Sequence, residues 1–178
     1  MFRNNRAARI IFPLIIIAVL VVVMELVDHN KTVYDTTDKN GKKIEKIIGK
    51  CSVEIECKNI LKNKDLLDLD LRDSVPKDGI ILKKTKVDLK KGDSAYTVLY
   101  RVTKDKNISM ESRDTAGSKY IRGIDNFYEF GCGDESGWLY LVNGKKLGIS
   151  SSEAKLKNGD EVRWSYTCNL GKDVKENK

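Results

Sequence analysis

Bulky apolar side chains alternate with other residues at a period of two in two segments near the C-terminal end. In Gly137-Trp-Leu-Tyr-Leu-Val142, Trp138, Tyr140 and Val142 alternate with Leu139 and Leu141. In residues 161–168, Val162, Trp164, Tyr166 and Cys168 alternate with Arg163, Ser165 and Thr167. Side chains two apart in a strand share a face, so each segment is predicted as a strand that turns one side to a core. Asn143-Gly144 and Asn158-Gly159 tolerate positive φ and mark tight turns. Cys51-Ser-Val-Glu-Ile-Glu-Cys57 repeats the pattern, with Cys51, Val53, Ile55 and Cys57 on one face. Residues 120–124 read as a short strand, Asp125-Asn126 as a turn and residues 127–130 as a further extended piece.

The period changes after Asp93-Ser94. Ala95, Val98, Leu99 and Val102 recur at i, i+3, i+4 and i+7, which predicts an amphipathic helix reaching about Lys106. Asp93 or Ser94 is placed to accept the free N–H groups of its first turn. Residues 59–76 carry too many charges for a strand and are expected to form helical turns; residues 80–82 and 87–89 are expected as one or two extended pieces. Residues 109–119 are polar throughout and read as a loop. Strands surrounding a single mid-chain helix predict an α+β layer with the helix on one face of the sheet, for which a ubiquitin-like β-grasp is the common solution.

The first 27 residues follow a different rule. Arg3, Arg6 and Arg9 precede an apolar run from Ile10 to Met24 that is broken only by Pro13 and extended by Leu26 and Val27. A cationic flank before an apolar core is the pattern of signal peptides and signal anchors. Val23-Met-Glu-Leu-Val-Asp28 lacks the small residues of a cleavage site, and the run approaches the ~20 residues that cross a bilayer, so a transmembrane signal anchor is expected over residues 1–27. The basic flank places the N-terminus in the cytoplasm and residues from about 28 onward outside the cell membrane, in a single-pass arrangement. Residues 28–50 hold few apolar side chains and read as a polar tether, leaving residues 51–173 as the extracellular domain.

Composition narrows the chemistry. The chain has 178 residues and a net charge of +7, with its lysines scattered among acidic residues. No arginine-rich stripe or nucleic-acid motif appears, so no nucleic-acid partner is expected. Four cysteines beyond a membrane segment point to disulfides. Zinc is disfavoured because no Cys-x-x-Cys pair occurs and the single histidine is His29. The same lack of an imidazole leaves Ser150, Ser151 and Ser152 without a general base. No phosphate-binding glycine loop is present either, so the chain is not expected to be an enzyme.

The segments 87–93, 98–99, 120–124, 137–144 and 156–167 together resemble the C-terminal domain of the transcobalamin and intrinsic-factor family, in the form found on bacterial surface proteins. The likeness covers residues 85–173. It implies a β-grasp domain that in the vitamin carriers acts as a lid over one face of cobalamin; nothing here resembles the α/α barrel that holds the other face. The expected function is therefore that of a non-catalytic, membrane-tethered extracellular binding module, with cobalamin or another corrinoid as its ligand rather than a covalent cofactor. The alternative is a cell-surface module contacting a partner protein or wall polymer. Candidate ligand contacts are Tyr128, Trp138, Tyr140, Asn143, Trp164 and Tyr166. The four aromatics on apolar faces serve equally well as core, and Asn143 as a turn residue. No metal ligand is expected.

Cys51 and Cys57 lie ~20 Å apart if their strand is extended, beyond the ~7 Å that a disulfide allows between Cα atoms. Two pairings remain. In a β-grasp sheet the first and last strands lie side by side and parallel, which favours Cys57 with Cys168 and leaves Cys51 with Cys132. Relatives often carry a further cysteine where this chain has Ser150-Ser-Ser152. The anchor reading predicts that full-length protein stays in the membrane fraction after a high-salt wash; a mature form beginning near residue 28 and released to the medium would reject it.

Overall fold

The computed structural model describes residues 45–177. The predicted anchor and most of the tether lie outside the described residues. Among the described residues no helix is long and apolar enough to cross a membrane.

Alternation in the first strand sets the frame. Strand β1 (Ile47–Glu56) starts four residues earlier than its apolar pattern. Val53 and Ile55 on its inner face are fully buried, each contributing roughly 1.5–3 kcal/mol by leaving water. Residues 80–82 and 87–89 belong to one continuous strand, β2 (Ile80–Lys90), antiparallel to β1. Between them, residues 59–76 form three 3-10 turns, Ile60–Lys62, Lys64–Leu66 and Leu69–Ser74. The remaining elements are helix α1 (Ala95–Asp105), then β3 (Met110–Thr115), β4 (Ser118–Ile124), β5 (Phe127–Tyr128), β6 (Gly137–Val142), β7 (Lys145–Lys146) and β8 (Glu161–Thr167).

The result is a mixed sheet in the order β2-β1-β8-β6-β7 and a smaller sheet β3-β4-β5. At its centre β1 and β8 run parallel, from Ser52 opposite Glu161 to Glu56 opposite Ser165. Helix α1 packs on β1 and β2 with the predicted stripe of Ala95, Val98, Leu99 and Val102 buried. Ser94 is its N-cap: its Oγ accepts from Thr97 N, while Thr97 Oγ1 accepts from Ser94 N in return. Asp93 has a different role. Its carboxylate takes both Arg101 terminal nitrogens at 2.9 and 2.8 Å, Lys90 N at 2.7 Å and Thr97 Oγ1 at 2.9 Å.

Residues 109–119, expected as a loop, instead form the β3–β4 hairpin. Ala116 and Gly117 take φ of 49° and 81°, the double positive-φ turn that suits a tight hairpin. β3 is mostly exposed on both sides, so no apolar alternation marks it in the sequence, whereas β4 buries Ile121 and Ile124. Asp125-Asn126 and Asn143-Gly144 are positive-φ turns as predicted. Gly123 lies against the ring of its cross-strand partner Tyr128, where a Cβ would come within 2.6 Å of the ring.

Order continues past residue 173. The C-terminal segment folds back over the outer face of the sheet: Arg163 donates to Lys175 O, and Asn177 N donates to Gly144 O. Beneath it Leu141 and Val174 are buried outside the main core, together with Glu56 and Ser165, whose side chains meet at 3.2 Å.

Burial pushes the Asp93 carboxyl up, but the hydrogen bonds from Arg101, Lys90 N and Thr97 outweigh it and hold it below the ordinary carboxylate range. A depressed folded-state value contributes stability that is complete above the unfolded value and is lost as pH falls through the folded one. Asp93→Asn should cost about 2 kcal/mol at neutral pH in denaturant titrations. It should also flatten the acid limb of stability against pH; an unchanged acid limb would remove Asp93 from this role.

Candidate functional site

Because the β3–β4 hairpin packs beside the main sheet without pairing to it, a cleft of about 500 Å³ opens between them. That volume falls in the range of small-molecule sites, ~300–1,000 Å³. Its floor is aromatic: Trp138 and Tyr140 from β6, and Trp164 from β8. Ile121 and Tyr120 contribute one wall, and Leu147 and Ile149, from the loop after β7, the other. Tyr120, Leu147 and Ile149 are all exposed, Ile149 by 51%. Large apolar side chains gathered at the mouth of a concave surface make this cleft the candidate site.

Most polar groups at the cleft are already engaged. Tyr140 Oη donates to Ile149 O at 2.8 Å, which holds the loop after β7 against the floor. Lys119 Nζ pairs with Asp114 at 2.6 Å, and Lys146 Nζ donates to Gly171 O at 2.6 Å. Ser150 and Ser152 hydroxyls lie 2.9 Å apart. Burial raises the phenol of Tyr120, and its hydrogen bond with the Glu129 carboxylate raises it further. Arg113 stacks over the same ring at 4.8 Å. Trp138 Nε1 donates to Phe127 O at 2.7 Å, whereas the buried Trp164 Nε1 meets no acceptor among the described residues.

The six contacts anticipated from the sequence divide evenly. Trp138, Tyr140 and Trp164 line the cleft and also belong to the main core. Tyr166 does not reach the cleft. It is fully buried behind Trp138, with ring centroids 5.3 Å apart in an edge-to-face arrangement, and its Oη donates to Tyr128 O at 2.6 Å and lies 3.0 Å from Ser136 Oγ. Burial pushes its phenol up to about 12. Asn143 sits in its turn at φ 51°, donating to Asp160 and accepting from Glu161 N. Tyr128 is half-exposed over Gly123, away from the cleft. Sequence reading missed Tyr120, Ile121, Leu147 and Ile149. The usable signal was Leu147-Gly-Ile149, an apolar pair in a glycine-containing loop.

The expected cysteine pairing also changes. β1 and β8 are parallel neighbours, but their register sets Glu56 opposite Ser165, so Cys57 falls level with Tyr166 and Cys168 runs two residues further. There Cys168 Sγ lies 3.3 Å from Cys132 Sγ. Cys51, at the opposite end of the inner face of β1, sits across from Val87 and is not brought to Cys132. All four are thiols in this structure. Among the described residues no group of three or more His, Cys, Asp or Glu side chains could hold a metal.

Comparison with known proteins gives a match to one family model over part of the chain. Residues 92–168 match the model described as "Domain of unknown function (DUF4430)". Among solved structures, the chain is similar to haptocorrin in complex with Cbi, at 16% identity and a TM-score of 0.47, over 76% of this chain. It spans 29% of that haptocorrin chain. It is also similar to a "putative metal binding protein" from Ruminococcus gnavus ATCC 29149, at 12% identity and a TM-score of 0.38, over 67% of this chain and 96% of that one. No curated protein matches.

Tyr166→Phe tests how the cleft floor is held. It removes the phenol bond to Tyr128 O and the contact with Ser136 Oγ, although each oxygen keeps a backbone donor, from Gly131 N and Cys132 N, and should destabilise the domain by about 1 kcal/mol in urea unfolding. A loss below a few tenths of that would show that Tyr166 acts only by packing.

Proposed function

We propose that this chain is a non-catalytic, membrane-tethered extracellular module that binds a small ligand in the cleft, a corrinoid before others. The observation that carries the reading is the exposure of Tyr120, Leu147 and Ile149 around an aromatic floor formed by Trp138, Tyr140 and Trp164. A flat macrocycle with apolar faces and a polar periphery suits such a surface, which offers broad contact on one side only. The sheet order, with the helix between its second and third strands, supports the β-grasp reading, and with it the lid role that the sequence resemblance implies. Lys119, Lys146 and Tyr140 at the cleft are tied to protein partners, which supports binding over catalysis.

A second reading has its own observation. Leu66, Phe130 and Leu170 are 56%, 63% and 71% exposed around the loop of residues 130–136, as a protein-contact surface would be. Titrating the protein with cobalamin and with cobinamide separates the two. The corrinoid reading expects a dissociation constant tighter than ~1 mM, equivalent to ~4 kcal/mol. Ile149→Asp, an exposed position whose backbone bond to Tyr140 is kept, should weaken it at least tenfold, or ~1.4 kcal/mol. Absence of saturable binding by either corrinoid would sink that reading and leave the protein-contact one.

A further inference from the structure

The four cysteines are not equivalent in space. Cys51 lies at one end of the inner face of β1, across from Val87. Cys57, Cys132 and Cys168 lie towards the other end, Cys57 level with Tyr166 and Cys168 two residues further along. Cys132 Sγ and Cys168 Sγ are in contact at 3.3 Å. A disulfide needs the sulfurs at ~2.05 Å, so closure asks for a movement of little more than ~1 Å.

The surroundings decide which partner can supply that movement. Cys57 is fully buried at the end of β1, with its N–H bonded to Gly79 O at 2.7 Å. Cys132 instead sits in Gly131-Cys-Gly133, between Phe130 at φ 67° and Gly133 at φ 92°. Glycine on both sides lets this short loop adjust with little steric cost. Cys168 is the only one of the four that is partly exposed, lying just past the end of β8, and is therefore the accessible nucleophile.

We propose that Cys132 and Cys168 are the disulfide pair of this protein and that Cys51 and Cys57 remain thiols. The oxidant is a small-molecule disulfide. The Cys168 thiolate attacks one of its sulfurs, forming a mixed disulfide and releasing the first small thiol. The Cys132 thiolate then attacks the Cys168 sulfur and releases the second. One S–S bond breaks and one forms, the two protein thiol protons end on the two released thiols, and the oxidant takes up both electrons. The bond closes a span of 36 residues that contains β6, β7 and β8. It also reaches the cleft from behind: Cys132 N donates to Ser136 Oγ at 3.0 Å, Ser136 Oγ meets Tyr166 Oη, and Tyr166 packs on Trp138.

The test is peptide mapping of the full-length chain after equilibration with oxidised glutathione, with free thiols alkylated on unfolding. The expected result is a Cys132–Cys168 peptide with label on Cys51 and Cys57, unchanged in Cys51→Ser. A Cys57–Cys168 or Cys57–Cys132 peptide, or label on all four, would overturn the assignment. Reduction should lower the melting temperature of wild type and Cys51→Ser alike, since the link restrains the unfolded chain. A melting temperature indifferent to reduction would overturn its structural role.

Discussion

The parallel pairing of β1 with β8 is the constraint on which the other elements depend. It joins the first and last strands of the sheet across more than a hundred residues, from Ser52 opposite Glu161 to Glu56 opposite Ser165. Every other pairing within the main sheet is antiparallel and is made outward from this seam. Val53 and Ile55 on one side, and Val162 and Trp164 on the other, give the seam an inner face that is nearly dry. A parallel pair needs a long crossover, and here the whole intervening chain serves as that crossover. Closing so long a loop costs entropy that only burial on this scale offsets.

From the seam, two consequences run in opposite directions along the strands. At one end the chain leaves β2 for α1, and Asp93 fastens the corner by taking a bidentate Arg101, a backbone N–H and a threonine hydroxyl on one carboxylate. A buried charge is tolerable only when its lone pairs are matched in this way. At the other end Cys57, Cys132, Cys168 and Tyr166 fill the space between the sheet and the loop of residues 130–136. That loop in turn supports Trp138, so the floor of the cleft is held from behind by polar bonds rather than from within the cleft.

The cleft itself is a product of incomplete sheet closure. β4 packs near β6 without sharing its hydrogen bonds, and the C-terminal segment covers the outer face instead. Trp138 and Tyr140 consequently have two roles, one side in the core and another facing the opening. Large aromatic surfaces can serve both roles because they exceed what a small core needs to cover.

The sequence by itself determined the elements whose signal is local. The alternation in residues 51–57, 137–142 and 161–167 reappears as β1, β6 and β8. The stripe of Ala95, Val98, Leu99 and Val102 reappears as the buried face of α1, and the Asp125-Asn126 and Asn143-Gly144 turns take positive φ. It did not show the β3–β4 hairpin, because both faces of β3 are largely exposed and no period arises without a buried side. Nor did it show the rim of the cleft: Tyr120 and Ile149 meet only because distant segments pack together, and exposed apolar residues in a loop carry no periodic mark. The cysteines illustrate the division most sharply. Spacing alone established that Cys51 and Cys57 are too far apart to pair, but the partner of Cys168 depended on strand register. A two-residue offset between β1 and β8, invisible in either strand alone, carries Cys168 past Cys57 and sets it against Cys132.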